Sequence, residues 1–253
     1  VGEILNYDLE TLGVGWYLNW GAALDPPHPN GVAFQQTIRI NHGAPALSPA
    51  AISNMVVANP GSTWLVGNEP DSVWNDSSTP SEFANAYHEI YHTIKDTDPT
   101  ALVGFGGLVQ ATPLRMLYLD HIWQHYLNTY GSEMPVDVWA VHGFILREGT
   151  YGWGAGIPPG MEGYAYLGMD YQIRDTDRMD LFIEHIERFR QWMADHGQRE
   201  KPLLVNEYGI LMWSDIIDED GNDFDDTRVS DFMTATFDYF RTATDPVWGY
   251  PAD

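Results

Sequence analysis

The sequence predicts an α/β chain folded as a (β/α)8 TIM barrel, with one strand or helix incomplete or irregular. Three observations carry that expectation. Short apolar runs bounded by Gly, Pro or polar residues alternate with stretches of helical periodicity. Such alternation is the pattern of a parallel sheet covered by helices. At 253 residues the chain has the length of one such barrel, and no Pro/Ser-rich linker, low-complexity tract or fixed repeat divides it, so residues 1–253 are expected to form a single domain.

The strand candidates, in order, are Gly15–Asn19 (GWYLN), Ala33–Ile40 (AFQQTIRI), Trp64–Asn68 (WLVGN), Leu102–Gly106 (LVGFG), Val136–Phe144 (VDVWAVHGF) and Leu203–Tyr208 (LLVNEY), with Val247–Tyr250 weaker. One strand in the N-terminal third is unaccounted for. Helix starts are announced by Ser48-Pro49, Thr79-Pro80 and Thr112-Pro113, each a capping hydroxyl before a proline at the first helical position. Thr79 with Glu82 completes a capping box. Helices near 113–130 and 179–196 stop at Gly131 and Gly197, and the last, about 227–242, carries Val229, Phe232, Met233, Thr236, Phe237 and Phe240 on one face.

Composition removes several functions. Hydrophobic residues make up 44% of the chain, so a sizeable core can form. Lys and Arg total 12 against 36 Asp and Glu, a formal charge of -24 that repels phosphate backbones and anionic lipid. Neither nucleic acid nor a membrane is expected as a partner. The chain has no cysteine, which excludes disulfides and thiolate metal sites. No apolar run reaches the length of a membrane span, and no signal peptide is visible in the sequence.

Residues 88–92 read HEIYH, the zinc-metalloprotease pattern in which two imidazoles one helical turn apart bind the metal. The helix from Pro80 to about Lys95 places Phe83, Tyr87, Ile90, Tyr91 and Ile94 on one stripe, which should face the sheet. His88 and His92 then fall on the outer, solvent-facing side, and the longer metzincin pattern fails at Lys95 and Asp98. A zinc hydrolase using His88 and His92 is kept as an alternative; the expectation is no metal and no cofactor.

The stronger signal is a pair of carboxylates. Segment 64–71 (WLVGNEPD) runs an apolar strand into Asn68-Glu69, and segment 202–209 (PLLVNEYG) runs another into Asn206-Glu207. A carboxylate at the end of a buried strand is costly without a purpose. C-terminal strand ends form the active-site face of a parallel barrel. Two strands separate the two glutamates, which places them across the mouth, as glycosidic bond cleavage requires.

With these residues the chain resembles clan A of the glycoside hydrolases, retaining enzymes on a (β/α)8 barrel. It is most similar to the catalytic-core group that includes endo-β-1,3-glucanases. The resemblance is carried by GWYLNW at 15–20, GNEPD at 67–71, WAVHGF at 139–144 and PLLVNEYG at 202–209. It implies Glu69 as acid/base, Asn68 as a contact to the sugar 2-hydroxyl, and Glu207 as nucleophile. It also implies an oligo- or polysaccharide substrate with a β linkage. A monomer that is secreted or held at the cell surface is expected. A carbohydrate-binding barrel without activity is the other reading.

Supporting residues follow from chemistry. Trp20, ending the first strand, is either a platform for a sugar ring or a core tryptophan. Arg39 stands where it would orient a carboxylate or a hydroxyl. His142 is either a ligand contact or a satisfied core histidine. Tyr208 is expected to donate a hydrogen bond that keeps Glu207 ionised. Trp213 and the loop aromatics Tyr151, Trp153, Tyr164 and Tyr166 are candidates for outer sugar subsites. The acidic stretch 215–226 (DIIDEDGNDFDD) fails the EF-hand register at Gly221 and reads as a solvated loop, with an adventitious cation as the alternative.

Overall fold

The computed structural model describes residues 4–212 and 216–244. Its strands are β1 (Trp16–Leu18), β2 (Ala33–Ile38), β3 (Ile40–Asn41), β4 (Ala44–Pro45), β5 (Thr63–Val66), β6 (Leu102–Phe105), β7 (Trp139–Gly143) and β8 (Leu203–Tyr208). Its helices are α1 (Leu9–Leu12), α2 (Pro49–Ala58), α3 (Pro80–Thr97), α4 (Pro113–Tyr130), α5 (Met179–Asp195) and α6 (Asp226–Thr242). The short β3–β4 hairpin is antiparallel and was not foreseen.

The other strands run parallel, in the order β1-β2-β5-β6 and then β7-β8. Single parallel bridges, Gly104 to Val138 and Leu108 to Val141, join the two parts into one arc. From β5 onward each strand is followed by a helix, so every crossover packs a helix on the outer face. Among the described residues six parallel strands of the expected barrel are formed. Val247–Tyr250, the weak strand candidate, lies outside the described residues, as does Trp213.

The helices start where their caps say. Ser48, Thr79 and Thr112 accept hydrogen bonds from the backbone N–H of Ala51, Glu82 and Arg115, and Thr79 with Glu82 closes the capping box. Asp225 caps α6 through Arg228 N–H. Gly131 (φ 73°) and Gly197 (φ 68°) sit just past α4 and α5 in the left-handed conformation that ends a helix without a Cβ penalty.

The core lies between helices and strands. Trp139 of β7 is fully buried among Phe105, Trp123, Phe189 and Trp192, with ring centroids 5.1 to 6.4 Å apart. On α3, Phe83, Tyr87, Ile90 and Ile94 are fully buried, the stripe the periodicity predicts. Among the described residues no helix is long and apolar enough to cross a membrane.

His88 departs from its expected solvent-facing position. Its Nδ1 lies 2.8 Å from the Tyr126 hydroxyl and its ring stacks on Tyr130 at 3.6 Å, so α4 half-buries it, while His92 stays exposed. The reason is tertiary: α4 packs alongside α3 and covers the flank that the helical wheel left to water. Among the described residues, the cluster of three potential metal ligands lies elsewhere, at Glu69, His142 and Glu207.

The acidic loop is also more than a solvated stretch. Asp218 is buried and accepts from the backbone N–H of Asp220 and Asn222 and from Arg228, and it is held at about 2 chiefly by the Asn222 bond. Glu219 accepts from the N–H groups of Ile173 and Arg174, and Asp220 pairs with Arg174 at 2.9 Å.

Candidate active site

The two glutamates meet at the C-terminal ends of β5 and β8. β5 stops at Val66, two residues earlier than the apolar run suggests, because Gly67 (φ 81°) and Glu69 (φ 48°) turn the backbone into the left-handed region. Glycine reaches that region freely; a glutamate there is strained by about 1–3 kcal/mol and needs support. Glu69 has that support, since its N–H donates to Gly107 O at 3.1 Å. Asp76 secures the turn from below. It accepts from the N–H groups of Ile40 and Asn68, each at 2.8 Å, and from Arg39 Nε at 2.5 Å.

Glu207 is aimed by a bulge. Val141 pairs with Val205, but His142 pairs with Glu207, leaving Asn206 as an extra residue on β8. A bulge breaks the strict alternation of side chains. Asn206 reaches Gly106 O at 3.2 Å, and Glu207 next to it points to Trp20 and His142, so both serve the barrel mouth.

His142 stands between the carboxylates. It is fully buried, with Nδ1 2.8 Å from Glu69 Oε1 and Nε2 3.6 Å from Glu207 Oε1. An oxygen of each glutamate and a ring nitrogen of His142 all lie within 4.8 Å of one another. Burial opposes charging the ring, but the hydrogen bond to Glu69 and the negative charges of Glu69, Glu207 and Asp71 outweigh it and raise its pKa above the usual histidine value. His142 is therefore a buried histidine that contacts both carboxylates. Gly107 makes room for it, because a Cβ there would stand 2.8 Å from His142 Cδ2 and Nε2.

The other sequence-predicted residues divide. Asn68 is buried beside Glu69, and its side chain makes no hydrogen bond with the described residues. Trp20 is 59% exposed, so it is not a core tryptophan; its indole N–H donates to Glu207 Oε1 at 2.6 Å. Arg39 does not reach either glutamate. It pairs with Asp76 and acts on the Asn68-Glu69 turn through that carboxylate.

Tyr208 does not donate to Glu207. It follows the bulge and points to the opposite face of β8, packing on Phe182 and Phe240 and sharing a hydrogen bond with Thr236. The donors to the two carboxylates are instead Trp20 for Glu207, and His142 and Asn75 Nδ2 for Glu69. Asn75 was missed; its only signal was its place in the polar loop that follows GNEPD.

Behind the Glu69 turn lies an ion cluster that sequence reading also missed. Asp71, Arg115 and Glu148 are buried, and Arg115 spends all its N–H groups on Asp71, Glu148 and the carbonyls of Asp71, Ala155 and Gly156. Glu148 also accepts from Gln110, Thr112 and Met169 N–H. The cluster ties the aromatic-rich loop 147–172 to the start of α4 and to the Glu69 turn. In that loop Tyr151 and Tyr166 are exposed, Trp153 packs against the small apolar cluster of Val109, Phe144, Leu146 and Ala155, and Tyr164 lies edge-on to His121 of α4. A cavity of about 430 Å³ opens beside Glu207, lined by Trp20, Phe144, Val205, Asn206 and Leu211.

No family model and no curated protein matches the chain. Solved structures do. The chain is similar to a GH128 (subgroup II) endo-β-1,3-glucanase from Sorangium cellulosum, with a TM-score of 0.58 and 17% identity over 93% of this chain and 78% of that one. A GH128 (subgroup I) endo-β-1,3-glucanase from Amycolatopsis mediterranei in complex with laminaritriose gives 0.56 and 13%, over 93% and 78%. A curdlan-specific GH128 (subgroup III) exo-β-1,3-glucanase from Blastomyces gilchristii in complex with glucose gives 0.56 and 14%, over 89% and 75%. At these identities the likeness shows the fold. The chain has the (β/α)8-type fold of these enzymes.

Proposed function

We propose that the chain is a retaining glycoside hydrolase acting on β-1,3-linked glucan. The observation that carries the reading is the approach of two strand-end glutamates to within 4.8 Å across the mouth of a barrel fold. Retaining enzymes hold their carboxyl groups about 5–5.5 Å apart, and inverting ones need about 6.5–9.5 Å to admit a water. The β-1,3-glucan assignment is supported by the fold shared with the GH128 glucanases. Crystal structures of the Amycolatopsis enzyme with one or another glutamate replaced hold laminari-oligosaccharides.

In this reading Glu207 attacks the anomeric carbon while Glu69 protonates the departing glycosidic oxygen. Water then displaces Glu207 with Glu69 taking its proton. Trp20 N–H holds Glu207 oriented for attack, and Asn75 and His142 hold Glu69. Asn68, whose side chain makes no hydrogen bond with the described residues, is available to the sugar 2-hydroxyl. A polymeric substrate supports an enzyme that works outside the cell or at its surface, and we propose that it does so as a monomer.

Incubation with laminarin and curdlan, followed by proton NMR of the first products, tests the assignment. The β anomer should appear first. An initial α anomer, or no hydrolysis of any β-glucan, would remove it.

A further inference from the structure

We infer that the same three side chains form an inhibitory site for a borderline divalent transition ion, of which Zn²⁺ is the type. The ligands are His142 Nε2 and Glu207 Oε1, and Glu69 orients the ring.

The geometry is that of a carboxylate–histidine–metal relay. Metal-binding histidines usually give their second ring N–H to a carboxylate, which fixes the tautomer and the ring plane. Here Nδ1 is 2.8 Å from Glu69 Oε1, which leaves Nε2 turned toward Glu207, and an ion bound there replaces any proton that Nε2 carries. Nε2 is buried, has no hydrogen-bond partner among the described residues, and faces Glu207 Oε1 at 3.6 Å. Zinc binds nitrogen and carboxylate oxygen at about 2.0–2.2 Å. An ion slightly off the line between the two atoms therefore meets both without moving either. Glu207 Oε1 already accepts from Trp20, but a carboxylate has about four lone-pair positions and can also take a metal.

A second buried atom points to the same place. Asn206 Oδ1 also lacks a partner among the described residues. It lies 3.2 Å, and His142 Nε2 2.8 Å, from where a Cβ on Gly107 would stand. Two buried polar atoms without hydrogen-bond partners among the described residues, both beside Gly107, are costly for a protein alone. A cation on His142 Nε2 would satisfy that nitrogen, with Asn206 Oδ1 also beside Gly107. The mixed nitrogen and oxygen donors select Zn²⁺, Co²⁺ or Cu²⁺ over Mg²⁺ and Ca²⁺, which take oxygen ligands. The formal charge of -24 attracts cations to the chain as a whole.

Binding needs only these residues; inhibition rests on the proposed hydrolase function. An ion on Glu207 ties up the carboxylate that attacks the anomeric carbon, so it should compete with the sugar. The two claims are measured separately. Calorimetric titration of the full chain with ZnCl₂ should give one high-affinity site that excess Mg²⁺ does not displace. Co²⁺ should show the intense visible bands of a low-symmetry nitrogen and oxygen site. His142→Gln and Glu207→Gln should each abolish that site, and Glu69→Gln should weaken it by about 10–100-fold. The double variant His88→Ala/His92→Ala should retain it. Circular dichroism and melting of each variant separate loss of a ligand from loss of the fold. The proposal is overturned if wild-type protein lacks the site, if folded His142→Gln and Glu207→Gln variants keep it, or if it disappears with His88 and His92. If Zn²⁺ binds as described but no β-glucan is cleaved, the hydrolase reading fails and the metal site stands.

Discussion

Glu69 and Glu207 are chemically identical side chains given different surroundings. Glu69 is nearly buried and accepts from Asn75 and His142, whereas Glu207 is half-exposed at the cavity and accepts from Trp20. A nucleophile needs access to the anomeric carbon, and an acid needs the leaving oxygen within hydrogen-bond reach. Replacing the acid should harm only substrates that require protonation. Glu69→Ala should slow laminari-oligosaccharides by about 10²–10⁴-fold while activated aryl glycosides are slowed much less, and azide should restore turnover. Glu207→Ala should abolish turnover of both. Steady-state kinetics on the two substrate types checks this, and the reverse pattern would exchange the roles. Both glutamates were legible in the sequence because each ends an apolar run. Tyr208 was misread because adjacency in sequence was taken for adjacency in space, and in a strand the next residue faces the other way.

The elements matter most where they end. Gly107 follows β6 with φ 111°, accepts from Glu69 N–H and leaves room for the His142 ring. Gly107→Ala adds a Cβ in an unfavourable backbone region and drives it into Cδ2 and Nε2 of His142. Because that ring is wedged between the two carboxylates, its displacement should cost more in activity than in stability. Thermal unfolding should fall by the equivalent of about 1–3 kcal/mol. The rate constant kcat should drop by about 10²-fold, the scale of a 1 Å misplacement. A variant with unchanged kcat would show that the His142 position is not needed. The bulge at Asn206 was not legible, because a one-residue register shift leaves no mark in a short apolar run. The capping hydroxyls were, because a cap depends only on residues three positions apart.

At the scale of the molecule, the Asp71–Arg115–Glu148 cluster joins the catalytic turn, α4 and the long loop. Breaking one member of such a network leaves uncompensated buried charges, which costs about 3–5 kcal/mol. Arg115→Met should destabilise the chain by that order in urea unfolding, with Asp71 and Glu148 left facing each other. Burial already pushes the Asp71 carboxyl up against the opposing pull of Arg115, so removing the guanidinium should raise it further. The loss should accordingly shrink as the pH is lowered and the carboxyls take up protons. A loss independent of pH would show that Arg115 contributes packing alone. Nothing local distinguished Arg115 from the other arginines; α4 buries it only when loop 147–172 closes over its start.

The order of the six parallel strands, the helix starts at their caps and the strand-end glutamates were determined by the sequence itself, because periodicity, caps and strand-stopping residues act over a few neighbours. Which polar groups meet was decided only by the tertiary structure. Trp20 and Glu207 are 187 positions apart and Glu69 and His142 are 73 apart, and they touch because parallel strands bring their C-terminal ends to one mouth. The HEIYH motif makes the same point in reverse. Its residues have the spacing of a metal site, but α4 engages His88 with Tyr126 and Tyr130, while the cluster with ligand-like geometry is assembled from β5, β7 and β8. Spacing along a helix sets which side chains share a face; the packing of other elements sets what that face can do.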